Sequence, residues 1–145
     1  MLTRPLRRFE ADLGELSRIR EFVTKSAKAL GVVPAVLDDL RLVVDEAVTN
    51  IVVHGYRGPG EITVELSAQG SDLIVRLCDK APTFDAVSAV PDEVGTADSR
   101  TAPGGLGLYL IRQSMDDIAH RALHPGNELT MVKRNVVEDL DPGSK

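Results

Sequence analysis

Two periodicities divide the chain. Leu16, Ile19, Phe22, Val23, Ala27 and Leu30 recur at three- and four-residue spacing, which predicts a helix over Leu13 to Leu30 that Gly31 stops. Pro34 suits the first turn of a second helix. Its apolar positions Leu37, Leu40, Val44, Val48 and Ile51 carry it to about His54. Alternation with period two then takes over in Ile62 to Leu66 and Leu73 to Leu77, and Gln69-Gly70-Ser71-Asp72 reads as the hairpin connection between them. A weaker strand is expected over Leu6 to Ala11. Beyond Leu77 the pattern lapses. Lys80 to Pro103 is rich in Pro, Ala, Asp, Ser and Thr and has no period, so a loop or lid is expected over about 82–103. Gly104-Gly105-Leu106-Gly107 opens a third helix that continues to Met115. Two strands, Ile118 to Leu123 and Glu128 to Arg134, follow, and a frayed tail is expected over 136–145. The order β-α-α-β-β-lid-α-β-β predicts an α+β fold with a mostly antiparallel sheet and its helices on one face.

Composition changes this picture mainly by exclusion. The 145 residues suit one domain, 1–145, able to bury a core without staples. A net charge of -5 with no basic tract argues against direct nucleic-acid binding. Cys78 is the single cysteine, which excludes an intramolecular disulfide and a cysteine-clustered metal site. The charged segment Met1 to Arg8 has no apolar stretch behind it, and no apolar run reaches the roughly 20 residues of a membrane span. The expectation is a cytoplasmic protein with no membrane contact.

Three clusters carry candidate chemistry. On the second helix, Glu46, Asn50 and His54 are spaced i, i+4, i+8 and share one face. A carboxylate one turn from an amide oxygen can place a general base beside a magnesium ligand. The same spacing also fits the solvent stripe of an amphipathic helix, although the valines and alanines around it leave that stripe narrow. At the end of the second alternating strand, Asp79 could accept a hydrogen bond from an exocyclic amine such as that of adenine, or simply start a turn. Gly104-Gly105-Leu106-Gly107 at a helix start could cradle phosphate on backbone N–H groups, or serve as a glycine-rich hinge.

Their order along the chain is more specific than any one of them. Glu46-Ala47-Val48-Thr49-Asn50 followed by His54-Gly55-Tyr56 resembles the N box of the Bergerat-fold (GHKL) ATPases, the superfamily of gyrase and the histidine kinases. Asp79 onward is similar to its first glycine box, and Gly104-Gly105-Leu106-Gly107-Leu108 to its second. Within that superfamily the short chain, the E-A-V-T-N-x-x-x-H-G-Y string and the Phe84-Asp85 pair resemble the anti-sigma-factor serine/threonine kinases.

The resemblance implies a two-layer Bergerat sandwich that uses ATP and magnesium. It implies Glu46 as catalytic base, Asn50 as magnesium ligand and Asp79 as reader of the adenine amine. Ala81 and Thr83 stand where relatives carry glycines beside adenine. Ala81 adds a methyl where backbone runs close to the base. Gly104, Gly105, Leu106 and Gly107 fall at the phosphates, and Asn127 falls where relatives place a threonine near adenine. Ser17-Arg18-Ile19 is similar to the segment that presents an arginine to a partner, which makes Arg18 a candidate contact. The implied partners are a sigma factor and a small STAS-type antagonist, with a homodimer by analogy. Two other functions stay open: a nucleotide-responsive binding module without catalysis, and a switch kinase that activates another enzyme. Glu46 together with Asn50 favours catalysis, since a pure binder has no need of the base.

Overall fold

The computed structural model describes residues 4–56, 58–83 and 105–138. The chain forms β1 (Leu6–Glu10), α1 (Leu16–Ala29), α2 (Leu37–Asn50), β2 (Glu61–Gln69), β3 (Asp72–Asp79), α3 (Gly105–Ser114), β4 (Asp117–Ala122) and β5 (Asn127–Lys133). Short 3₁₀ turns, Leu13–Glu15 and Pro34–Val36, lead into α1 and α2. The five strands lie in the order β1-β2-β3-β5-β4. Each pairing among the described strands is antiparallel, in line with the mostly antiparallel α+β sheet expected.

One face of this sheet is apolar because the strands alternate. Ile62, Val64 and Leu66 on β2 and Leu73, Val75 and Leu77 on β3 are all buried, as is Met131 on β5. The helices cover this face with Ile19, Val23 and Ala27 of α1 and with Leu40, Val43, Val44, Ala47 and Val48 of α2. α2 packs against both α1 and α3 and is the central helix of the layer. The opposite face carries a polar row in which Arg76 bonds Glu65 at 2.6 Å and Arg121 bonds Glu128 at 3.1 Å. Among the described residues no helix is long and apolar enough to cross a membrane.

The tail departs from expectation. Val136 is buried, and the N–H groups of Val136 and Val137 both donate to the Ser71 carbonyl at 2.9 Å. The Glu138 N–H donates to the Gly31 carbonyl at 2.8 Å. Two valines here cover the loop between α1 and α2, and Val32 forms a bridge with Val137. Fraying over 136–138 is therefore corrected; 139–145 lie outside the described residues, as does most of the expected lid.

Candidate functional site

The alternation that buries β3 also aims Asp79. Leu73, Val75, Leu77 and Asp79 occupy every second position, so the Asp79 carboxylate continues the buried, helix-covered face and is 6% exposed. An acid there needs partners. Register supplies one, since Asp79 sits opposite Asn127 on β5. Asn127 Nδ2 donates to Asp79 Oδ1 at 3.0 Å, and the Ala81 N–H donates to the same oxygen at 2.9 Å. Burial raises the Asp79 pKa from its ordinary 3.8, and these two hydrogen bonds and the nearby His120 offset part of the rise. Oδ2 makes no hydrogen bond to the described residues.

The residues around Asp79 are pinned in turn. Asn127 Nδ2 also reaches the Pro82 carbonyl at 3.2 Å, and its Oδ1 lies 2.7 Å from His120 Nε2. Thr83 Oγ1 donates to the Gly126 carbonyl at 3.1 Å. Gly126 has φ +111°, and a Cβ there would overlap the Asp79 carbonyl oxygen, so this approach of β5 to β3 requires glycine. Asn127, expected beside adenine, spends its amide on Asp79, Pro82 and His120. Thr83 likewise turns its hydroxyl to Gly126. Ala81 is 1% exposed, and its methyl lies 3.4 Å from where a Cβ on Gly55 would sit. The methyl expected to crowd a base is thus packed toward the end of the N-box helix.

That end carries the second half of the site. Glu46 and Asn50 are both half-buried on α2, beside the buried Ala47 and Val48. Asn50 Nδ2 is buried without a hydrogen-bond partner among the described residues. Asp45, next to Glu46, faces α1 instead and pairs with Arg20 at 3.2 Å. Burial raises its pKa, and Arg20 offsets part of that. After Asn50 the helix widens into one π turn, Ile51–Gly55, closed by the Tyr56 N–H on the Ile51 carbonyl at 3.0 Å. His54, the third member of the i, i+4, i+8 set, falls within this turn and is exposed, while Glu46 and Asn50 are half-buried. The same turn delivers Tyr56 to β3, where its hydroxyl accepts from the Lys80 N–H at 2.7 Å.

The structure therefore brings Asp79, Ala81, Thr83 and Asn127 into one corner and sets the end of α2 against it through Gly55 and Tyr56. Gly105, Leu106 and Gly107 form the first turn of α3, a position whose backbone N–H groups have no acceptor within the helix itself. Gly104 lies outside the described residues. Arg18 stands apart on exposed α1 and pairs with Glu15 at 3.4 Å. Sequence reasoning missed Tyr56 and His120 as parts of the site. Alternation with Ile118, which pairs with the buried Met131, puts His120 on the helix side of β4, while Tyr56 stood in the sequence only as the end of the H-G-Y string, with no role attached.

A family model for the histidine kinase-like ATPase domain matches residues 9–133. The chain is also similar to the serine-protein kinase RsbW of Listeria innocua, 41% identical over 88 residues, covering 57% of this chain and 56% of that protein. It therefore spans little more than half the length of that relative. The serine-protein kinase RsbW of Bacillus pumilus is 32% identical over 123 residues, covering 79% of this chain and 75% of its own. The RsbW of Bacillus licheniformis is 32% identical over 117 residues, with 74% and 71% covered. A match across nearly the whole described fold settles the family: the chain belongs to the histidine kinase-like ATPase domains.

Proposed function

We propose that this protein is an ATP- and magnesium-dependent serine/threonine kinase that acts as an anti-sigma regulatory factor in the cytoplasm. It phosphorylates a small STAS-type antagonist and binds a sigma factor. The observation that carries the reading is the Asp79 corner. A buried carboxylate is held by two protein donors on one oxygen while the other oxygen stays open, as a reader of an exocyclic amine requires. The residues suit the cofactors. Asn50 offers a neutral amide oxygen of the kind magnesium takes as a ligand, and its Nδ2, buried without a partner among the described residues, is a donor that a phosphate oxygen can satisfy. Among those residues no three His, Cys, Asp or Glu gather as a metal cage, so magnesium would take most of its ligands from phosphate and water, as it ordinarily does. ATP, when bound, supplies the phosphoryl group. Glu46, one turn before Asn50, can take the proton of the incoming hydroxyl. The α3 start can place backbone N–H groups on phosphate.

The similarity to serine-protein kinases supports this reading. The test is an affinity capture from lysate with ATP and magnesium, then with ADP, followed by transfer of labelled phosphate to what is captured. Nucleotide-dependent capture with labelling of a serine or threonine is expected. Capture without any labelling would transfer the case to a binding module.

A further inference from the structure

We propose that Tyr56 is a positioning residue of the nucleotide site, tying the magnesium-side end of α2 to the base-reading turn and so setting base selectivity. The inference rests on the ATP-binding reading above. The β2–β3 ladder ends at the pair Ile62 and Asp79, so the Lys80 N–H lies past its last rung. That N–H belongs to the residue between Asp79 and Ala81, whose mutual bond fixes the carboxylate's orientation. The phenol takes the place of the missing rung. Tyr56 Oη accepts from the Lys80 N–H at 2.7 Å and donates to the Glu61 carbonyl at 2.7 Å, so the hydroxyl is engaged on both β2 and the turn after β3. Gly60 makes the seat, because a Cβ there would overlap the Tyr56 ring. On its other side Tyr56 closes the π turn that follows Asn50. Tyr56 thus links the turn after Asn50, through its backbone N–H, to the turn beside Asp79, through its hydroxyl. The ladder itself does not depend on it, since β2 and β3 are registered from Ile62↔Asp79 to Gln69↔Asp72.

Tyr56→Phe keeps the ring and deletes both hydroxyl bonds. Titration calorimetry with ATP and with GTP, each with magnesium, should show ATP binding weakened about tenfold, the scale of one or two lost hydrogen bonds. GTP binding should change little, so the ATP-over-GTP preference falls by about the same factor. Amide hydrogen exchange should find the Lys80 N–H protected in the wild type and faster in the variant. Gly60→Ala, which displaces the ring without deleting the hydroxyl, should give the same loss of preference. A preference unchanged in both variants overturns the proposal. Equal losses for ATP and GTP with a lowered melting temperature would also overturn it, since that is a structural role alone. An unprotected Lys80 amide in the wild type overturns it without any variant, should Tyr56→Phe not fold. Wild type that binds no ATP would bring down the functional reading as well, whereas wild type that binds and a variant that matches it bring down this inference only.

Discussion

The corner around Asp79 and the end of α2 meet at Tyr56 yet are built in opposite ways. At the corner nearly every polar group is spent on the protein: Asn127 on Asp79, Pro82 and His120, Thr83 on Gly126, Lys80 on Tyr56. One carboxylate oxygen is left over. At the helix end the reverse holds, and Asn50 keeps a buried donor with no partner among the described residues. The first arrangement is preorganised, so a ligand meets a fixed acceptor and little ordering is left to be done on binding. The second holds polar groups in readiness at a cost in stability that ligand oxygens can offset. Reading a flat base needs a rigid edge. Handling a phosphoryl group during transfer needs groups not already committed.

The largest effect should fall on the helix side. Glu46→Gln keeps shape and removes basicity, so phosphate transfer to the captured partner should drop about 10²–10⁴-fold while ATP affinity in calorimetry holds. If transfer persists, Glu46 is not the base. Asp79→Asn should do the converse, weakening ATP about ten- to hundred-fold through the loss of one charge-assisted hydrogen bond. Equal ATP affinity in variant and wild type would remove Asp79 from the site.

The two asparagines sharpen the contrast. Asn127→Ala leaves the buried Asp79 carboxylate short of a donor and should lower unfolding free energy by about 1–3 kcal/mol in denaturant titration. Asn50→Ala removes a group that bonds nothing described, so stability without nucleotide should stay within about 0.5 kcal/mol of wild type. Affinity for magnesium-ATP should nevertheless fall. Equal destabilisation by both would erase the distinction between the two regions.

The smallest effect is a pH slope. The folded-state pKa of Asp79 is raised, so the native state holds its proton more tightly than the unfolded chain does. The cost of the buried charge is absent below 3.8 and grows as pH rises from there through the folded value, and stability without nucleotide falls across that window. Asp79→Asn should lose this slope and melt no lower than wild type at neutral pH. ATP affinity should run the other way in wild type, weakening as pH drops through the raised value, because a protonated carboxyl no longer serves the amine as a charged acceptor. Melting curves and calorimetry across acidic pH would check both.

Much of this was legible beforehand. The first two helices, the hairpin at Gly70 and its two strands follow from spacing, because a one-sided sheet and a one-sided helix layer impose periods of two and about 3.6 on their apolar residues; the first strand and the last two carried a weaker pattern. The direction of Asp79 was legible too, as the next step after Leu73, Val75 and Leu77. The bond from Asn127 to Asp79 was not, because it depends on β3–β5 register across 48 positions of sequence. Nor was the widening of the helix end, since a π turn leaves no periodic trace over five residues.

What the sequence determined by itself was the set of elements, the buried face and the identity of the groups that face it, all of which are local consequences of where apolar side chains fall. What only the tertiary structure decided was which polar groups are already spoken for. Asn127 and Asn50 look alike in the sequence as available site residues. A hydrogen bond is made between partners brought together by strand pairing and helix packing, so whether a side chain is committed or free is settled only when the sheet and the helix layer have closed on each other.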